Sequence, residues 1–401
     1  MRRRAHPTQP FRSPSRQDAH ARHLDHARGR RRRPHPPDRL RPTAGLEQRL
    51  QARLDSLSGT VGSSASRPAW PRRRPRFIAL AAGSSDTARK TSLHPTDRML
   101  AGSTGKTFFA ALALRLVRDG RLELDAPIAR HLGQEPWFDS LPNARSVTVR
   151  QLMNHTSGLV RYELNPRFLA DLVATPQRRF EPVEELRYLF GEAAPFAAGE
   201  GWDYSDTNYI VLAMIVERVL GARAYDAILR EFVRPLGLAG TVPQDRPVIP
   251  GLAQGYAGRD NPFGPFDAVL RDGRFAINPQ FEWAGGGWAT TGRDLARWAK
   301  ALYEGEAIDS ALLHREVLQG IPAKMLGPNA RYGLGVIIQQ TPLGPTWGHS
   351  GFFPGYLTEM RYYPERRVAV AVMVNQNRPA MSPARIASSL AELVLEAPPA
   401  R

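Results

Sequence analysis

The feature of this sequence that most constrains its fold is a set of three strand-like segments near the C-terminus. They are TWGHSG, YLTEMRYYP and RVAVAVMVN, at residues 346–351, 356–364 and 367–375. Their β-branched and aromatic residues, joined by short turn-like connections, predict an antiparallel meander. YGLGVIIQQ precedes this meander and predicts a further strand, and FIALAAG, which begins at Phe77, predicts one near the other end of the chain.

The middle of the chain has a different pattern. Apolar residues recur at spacings of three and four over the predicted helices 103–117, 147–153, 207–219, 225–233 and 293–303, and a last helix is predicted at about 383–395. An early strand, a helical middle and a meander before a final helix predict an α+β fold of the α/β sandwich type. We expect an antiparallel sheet covered by helices, with a helical subdomain inserted at about residues 125–290.

Charge separates the N-terminal part from the rest. Residues 1–76 hold 20 Arg and 5 acidic residues, a net charge of +15, which leaves +2 of the total of +17 for residues 77–401. Residues 1–45 lack hydrophobic periodicity and predict a disordered Arg/Pro-rich tail, so no nucleic-acid partner is expected for the folded domain. A nucleic-acid-binding arm is the alternative for the tail itself.

The catalytic domain is expected at residues 46–397, beginning with a helix at Leu46–Leu57. Segment 61–76 is anomalous, because Pro and Arg crowd a stretch that directly precedes a strand. A single strand would leave its backbone groups unpaired, so we expect a pairing strand and a tight turn there.

Other compositional features narrow the function. The absence of Cys excludes disulfides, thiolate metal sites and a cysteine nucleophile. No stretch approaches the roughly 18 to 20 apolar residues that cross a bilayer, and no signal peptide is readable, so no integral membrane segment is expected. No HExxH motif or paired carboxylates indicate a metal, so neither a metal nor a cofactor is expected.

The segment AGSTGKTFFA allows two interpretations. A phosphate-binding loop of the form GxxxxGK[ST] requires glycine at position 100, where Leu100 stands. The remaining interpretation is SxxK, formed by Ser103 and Lys106. Residues three apart share a helix face, so a hydroxyl lies beside an amine at a helix N-terminus. Such a pair suits nucleophilic catalysis if the lysine can accept the serine proton.

The flanking sequence carries a resemblance to a known family. GSTGKTFFAALALRLVRDGRLELDAPI, TVRQLMNHTSGL, GWDYSDTNYIVLAMIVERVLG, AGGGWATTGRDLARW and WGHSGFFPGY occur in that order between residues 102 and 356. Together they resemble the conserved blocks of the serine β-lactamases and DD-peptidases, the penicillin-binding-like serine hydrolases, in their class C-like branch. The resemblance is collinear over about residues 77–395 and implies the β-lactamase/transpeptidase-like fold.

The resemblance also implies roles for individual residues. Ser103 would attack a carbonyl, Lys106 would accept its proton, and Tyr204 would relay a proton to the leaving group. His349 would contribute positive charge or a proton route near a substrate carboxylate. The backbone N–H groups of Ser103 and Phe352 would form the oxyanion hole. The substrate-binding set that the resemblance implies is Asp206, His349, Ser350, Gly351 and Phe352. His155 is taken as loop structure without a role.

One position departs from the family pattern. The third residue of the YxN motif is Asp206, and a carboxylate there would raise the pKa of Lys106 and oppose its use as a base. Three possibilities follow: Asp206 is protonated, it points away, or Tyr204 is the working base.

The resemblance implies a hydrolase that forms an acyl-enzyme on a small-molecule or peptide amide or ester, of D-alanyl-D-alanine carboxypeptidase or esterase type. The alternatives are a β-lactamase and a non-catalytic penicillin-binding-like module. The family usually works outside the cytoplasm, and the sequence leaves the localisation of this chain open.

Overall fold

A computed structural model of the chain describes residues 42–58, 63–69 and 76–396. Its α-helices are α1 Pro42–Ser58, α2 Lys106–Arg118, α3 Ala129–Leu132, α4 Val149–Met153, α5 Pro166–Ala174, α6 Pro182–Leu186, α7 Thr207–Leu220, α8 Ala224–Ile228, α9 Gly292–Tyr303, α10 Ser310–Leu312 and α11 Pro383–Glu396. Its strands are β1 Ser63–Ala69, β2 Arg76–Ala82, β3 Ser84–Asp86, β4 Thr91–Ser92, β5 Met99–Leu100, β6 Val242–Pro243, β7 Leu270–Arg271, β8 Arg274–Phe275, β9 Trp288–Thr290, β10 Ile321–Pro322, β11 Arg331–Tyr332, β12 Ile337–Thr341, β13 Gly344–Phe353, β14 Tyr356–Tyr363 and β15 Val368–Val374.

The main sheet is antiparallel and has eight strands in the order β10-β11-β12-β13-β14-β15-β1-β2. The predicted meander forms its centre, with β13 paired to β14 and β14 to β15. Strand β12 pairs with β13 only as far as Gly348. The rest of β13, residues 349–353, therefore has no partner strand on that side within the described chain.

Helices cover both faces of this antiparallel sheet, so each apolar face of the sheet is buried, as in the predicted α/β sandwich. On one face, α1 and α11 pack against the valines of β15 and against Ile78 and Leu80 of β2. On the other face, α9 and the helical middle of the chain share a second apolar core with Ala369, Ala371 and Met373 of β15. All seven residues of β15 are consequently buried.

The anomalous segment contains a strand. β1 pairs antiparallel with β2 from Ser63↔Ala82 to Ala69↔Arg76, and on its other side with β15. The strand that we expected to pair with the backbone of β2 is thus present, although Ser, Arg and Pro residues disfavour a strand locally. The turn expected after it, and most of the predicted 1–45 tail, lie outside the described residues. Helix α1 begins at Pro42, four residues before the predicted start at Leu46, because helix ends are weakly specified by periodicity.

Helix α2 forms the centre of the helical side. We expected one buried face, but its residues are buried from Lys106 to Leu114 without interruption. The reason is that α7, α8 and the segment Pro279–Gly285 pack around it, and Trp298 of α9 stacks on Phe108. A lysine at its first position is therefore enclosed by protein.

Residues 125–290, where the sequence predicts a helical subdomain, contain helices α3 to α8 together with the short strands β6 to β9. In the part of the chain that the structure describes, no helix is long and apolar enough to cross a membrane.

Candidate active site

A tight turn holds Ser103 against the edge of the main sheet. Residues Gly102–Gly105 form a 3₁₀ turn that leads directly into α2. Gly102 has a φ of +50°, and a Cβ there would lie 2.5 Å from the backbone N of Phe352. A Cβ on Gly351 would lie 2.0 Å from the carbonyl oxygen of Ala101. Glycine at both positions lets the turn touch the free edge of β13.

Lys106 has all three of its ammonium protons engaged. Its Nζ donates to Ser103 Oγ at 2.9 Å, to Asp206 Oδ1 at 2.5 Å and to the carbonyl oxygen of Gly285. The side chain is fully buried. It also lies over the ring of Tyr204, with Nζ 4.9 Å from the ring centroid.

The surroundings of Lys106 favour its charged form. Burial alone would lower the pKa of the amine, but the carboxylate of Asp206 and the phenol of Tyr204 more than offset that effect, so the pKa is raised above its usual value. In the free protein Lys106 is therefore an ammonium that donates to Ser103, and it cannot accept the serine proton in that state.

The side chain of Asp206 points toward Lys106. Asp206 occupies the N-cap position of α7, where a carboxylate often accepts from the first turn, but its side chain makes no capping hydrogen bond. It is directed instead to the ion pair with Lys106. Of the three possibilities left open by the sequence, a carboxylate that points away is therefore wrong.

Tyr204 places a phenol beside this pair. Its hydroxyl is buried and has no hydrogen-bond partner among the described residues. Burial raises the pKa of Tyr204, an effect that the charge of Lys106 opposes and that Asp206 reinforces. The ring packs against His155 at an interplanar angle of 37°, with centroids 4.2 Å apart. A free hydroxyl on a fixed ring is available to exchange a proton with a bound substrate.

His349 lies at the buried end of the free edge of β13. Its Nδ1 donates to the carbonyl oxygen of Ser350 at 2.6 Å, and its Nε2 accepts from the hydroxyl of Tyr332 at 2.8 Å. Burial and the nearby charge of Lys106 lower the pKa of His349 to about 3. The imidazole is therefore neutral near pH 7, and the positive charge that the resemblance implied is not available there.

An open cleft of about 600 Å³ brings these groups together. Its lining includes every site residue predicted from the sequence except two that lie directly beneath it, Lys106 and Asp206. Ser350 is exposed, and the ring of Phe352 is 45% exposed at the mouth. Trp202, Met325 and Leu326 make much of the remaining wall apolar. The cleft thus presents an apolar wall next to the hydroxyl of Ser103.

Three residues in this region were not assigned a role from the sequence. His155, in the left-handed region with φ of +64°, accepts from the backbone N of Ser205 at 3.3 Å and supports the ring of Tyr204. Tyr332 holds His349, and Arg161 lies in the cleft wall. His155 lies in TVRQLMNHTSGL, one of the segments that resemble the family, and this was the one sequence signal for its role. No sequence pattern distinguishes Tyr332 or Arg161.

Within the described ranges, no cluster of three or more His, Cys, Asp or Glu side chains has a geometry that could hold a metal ion. The groups gathered at the cleft are a serine hydroxyl, an ammonium, a phenol and backbone N–H groups.

Comparisons with known proteins agree with this geometry. Penicillin-binding protein 4* of Bacillus subtilis is 26% identical over 305 residues, which are 73% of this chain and 64% of that protein. The D-stereospecific amidohydrolase from a Streptomyces species superimposes with a TM-score of 0.71 at 26% identity, covering 88% of this chain and 97% of the other. D-amino acid amidase from Ochrobactrum anthropi SV3 gives a TM-score of 0.72 at 25% identity, with coverage of 88% and 98%.

The family model named Beta-lactamase matches residues 72–395. This range contains the SxxK turn, the helical middle and the sheet edge that together form the cleft. The chain therefore belongs to the beta-lactamase family, the serine hydrolases and acyl-transferases that share the β-lactamase and penicillin-binding fold.

Proposed function

We propose that the protein hydrolyses an amide or ester through an acyl-enzyme on Ser103, with a D-amino acid residue at the bond that is broken. The observation that carries this proposal is the 2.9 Å contact between Ser103 Oγ and Lys106 Nζ at the base of the cleft. The activity is of D-alanyl-D-alanine carboxypeptidase or esterase type. Support for the D-configuration comes from the similar solved structures, a D-stereospecific amidohydrolase and a D-amino acid amidase.

The proposed reaction uses Tyr204 as the base. Since Asp206 holds the proton on Lys106, we take the phenol as the neighbouring group that loses its proton to solvent, and the ammonium stabilises the resulting phenolate. The phenolate takes the proton of Ser103, whose oxygen bonds to the substrate carbonyl carbon. Tyr204 then passes that proton to the leaving group as the bond breaks. In the second step the phenolate takes a proton from water, the water oxygen bonds to the acyl carbon, and Tyr204 returns the proton to Ser103 as the acyl bond breaks.

The oxyanion of each tetrahedral intermediate is proposed to bind the backbone N–H groups of Ser103 and Phe352. The close approach of the Gly102 turn to β13 supports this assignment, because it sets the two backbone segments next to each other. Preorganised backbone donors of this kind are worth roughly 10² to 10³ in rate.

A direct test compares the rates of hydrolysis of N-acetyl-D-alanyl-D-alanine, its L-alanyl-L-alanine counterpart, a D-alanine ester and a chromogenic cephalosporin. We expect turnover of the D-configured peptide or ester, with at least tenfold preference over the L-form. Hydrolysis of the cephalosporin alone would overturn the proposal in favour of a β-lactamase. The Asp206 carboxylate stands where that enzyme class has an amide, which argues against this outcome.

A second candidate is a non-catalytic penicillin-binding-like module. The observation that favours it is the Lys106–Asp206 ion pair, because a lysine held as an ammonium is a poor base. A folded protein that neither acylates Ser103 nor turns over any of the four substrates would establish this candidate.

A further inference from the structure

A large apolar side chain stands exposed in the wall of the cleft. Met325 is 74% exposed, the highest value among the large hydrophobic residues that the structure describes. It occupies the middle of the 3₁₀ turn Lys324–Leu326 and lines the same cleft as Ser103. Covering an apolar side chain of this size removes its surface from water, which stabilises the contact. A ligand that reaches Met325 therefore binds more tightly if the part that touches it is apolar.

Met325 belongs to an apolar wall that it forms with Leu326 and Trp202. Leu326, Trp202 and Tyr204 all pack against one small buried cluster, which consists of Ala323, Tyr332 and Ile337. Trp202 approaches Tyr332 directly, with ring centroids 6.1 Å apart. These shared contacts place the apolar wall beside Tyr204, the phenol of the site.

Hydrogen bonds fix the turn that carries Met325. Leu326 donates its backbone N–H to the carbonyl oxygen of Ala323 at 2.9 Å, and Ala323 donates its own to that of Ala330 at 2.9 Å. Gln339 of β12 donates from Nε2 to the carbonyl oxygen of Leu326 at 3.1 Å. The exposure of Met325 is therefore imposed by a turn that is tied to the main sheet.

The charges of the cleft lie outside the apolar wall and are paired. Arg161 donates from Nε to Glu163 Oε1 at 2.7 Å. Arg361 donates from Nε to Glu359 Oε1 at 2.6 Å. Each charged side chain that the structure describes in the cleft lining thus has a partner of opposite charge. The wall itself offers no charge, so the group that suits it is neutral and apolar.

We propose that the apolar wall is a subsite for the leaving group and that Met325 is a specificity-determining residue within it. The side follows from the packing of the wall with Tyr204, the group proposed to protonate the leaving group, so this inference rests on the proposed function. The substrate class that the wall selects is an uncharged ester or amide whose departing alcohol or amine carries an aromatic or branched aliphatic group.

The test measures binding to the Ser103→Ala protein, so that turnover does not enter. The probes are the benzyl and methyl esters of N-acetyl-D-alanine, which share an acyl group, carry no charge and differ in one ring on the leaving-group side. The readout is the ratio of their Kd values. We expect the benzyl ester to bind more tightly by roughly 5- to 30-fold, the contribution of partly covering a phenyl ring.

Substitutions of Met325 should change this ratio according to their polarity. Met325→Gln keeps the length of the side chain and should lower the preference for the benzyl ester about threefold or more, because a hydrated amide replaces the thioether. Met325→Leu keeps an apolar side chain of similar volume and should retain the preference within about twofold. If Met325 served only to shape the turn, Met325→Gln would change both Kd values equally and leave their ratio in place.

Two controls locate the effect. Leu164→Gln changes a residue that is 50% exposed and absent from the cleft lining, and it should keep the parent ratio. The methyl ester of N-phenylacetyl-D-alanine carries the ring on the acyl side instead, so its Kd should not respond to Met325→Gln. A loss of affinity for this probe, with the benzyl ester unaffected, would assign the wall to the acyl group and overturn the inference.

A ratio near one, a benzyl ester that does not bind, or an unchanged ratio in Met325→Gln would also overturn it. If Met325→Gln does not fold, Met325→Ala decides, since it removes the same apolar surface, and a ratio equal to the parent value would contradict the inference. Failure of the proposed function is a separate result, because it is seen as absent acylation of Ser103 whatever the binding ratio is.

Discussion

Lys106 and Asp206 form a buried ion pair, with 2.5 Å between Nζ and Oδ1, directly beneath the serine that the SxxK motif marks as a nucleophile. The carboxylate comes from the N-cap of α7 and the amine from the first residue of α2. Two helices are joined at this point, and the same contact keeps the amine protonated. The pair therefore bears on both the stability of the fold and the acid–base chemistry of the cleft.

Replacing Asp206 by Asn should make Ser103 more reactive near pH 7. Asp206 raises the pKa of both Lys106 and Tyr204. Its replacement by a neutral amide should therefore lower both pKa values, so that the basic form of the Lys106–Tyr204 pair is populated at lower pH. The rate of fluorophosphonate labelling should rise about tenfold at pH 7 for each unit by which the pKa falls. The control is the neighbouring Asp203→Asn, which removes a carboxylate that does not contact Lys106. It should leave the pH dependence of the labelling rate unchanged. Slower labelling of Asp206→Asn across the whole pH range would contradict this account.

Replacing Tyr204 by Phe should separate chemistry from stability. The substitution keeps the ring that packs against His155 and removes a hydroxyl that has no hydrogen-bond partner among the described residues. We expect labelling to slow by roughly 10² to 10⁴, the usual contribution of a general base. The free energy of unfolding, measured with urea, should stay within about 0.5 kcal/mol of the parent value. Unchanged labelling would rule out Tyr204 as the base.

Replacing Gly102 by Ala should damage the site through the backbone. The new Cβ would approach the backbone of Phe352 and would also hold a positive φ. We expect at least tenfold slower labelling together with a lower Tm. Gly120→Ala is the control, since Gly120 has a φ of +67° but nothing within 4 Å of a Cβ. It should show only the conformational penalty of about 1 kcal/mol and keep normal labelling. If both variants slowed labelling equally, the contact between residue 102 and the backbone of Phe352 would not be the cause of the damage.

His349 should link stability to pH. Its pKa is about 3 in the folded protein and about 6.5 in an unfolded chain. The neutral form is thus favoured by folding, and this contribution is complete above pH 6.5 and is lost as the pH falls toward 3. Between pH 6.5 and pH 4 the free energy of unfolding should fall less in His349→Gln than in the parent protein. The difference between the two proteins should grow by at most about 1.4 kcal/mol for each pH unit. Parallel urea-unfolding curves for the two proteins over that interval would contradict the assignment.

The sequence predicted most of the regular structure that surrounds the site. Apolar residues at strand and helix spacing predicted β13, β14 and β15, and also the helices α2, α7, α9 and α11, to within a few residues. Strand β1 lacked this signal, because its Ser, Arg and Pro residues disfavour a strand locally. It forms between β2 and β15, where the backbone pairing of its neighbours decides its conformation.

The candidate site was predicted less completely than the fold. Motif spacing was enough to bring Ser103 and Lys106 together, because three residues on a helix fix their separation. The direction of the Asp206 side chain depends on its contact with Lys106, a residue 100 positions away in the sequence, where α2 and α7 meet. No local pattern can predict such a contact. The neutral state of His349 depends on burial by residues from other strands, and Arg161 belongs to no motif.

The most direct test of the central claim is intact mass after incubation with a fluorophosphonate and, separately, with a fluorescent penicillin. The parent protein, Ser103→Ala and Ser350→Ala should be compared, since Ser350 is an exposed serine of the same cleft. We predict one adduct on the parent protein and on Ser350→Ala, and none on Ser103→Ala. An adduct that persists in Ser103→Ala, or a folded parent protein that takes up neither reagent, would contradict the assignment of Ser103 as the nucleophile.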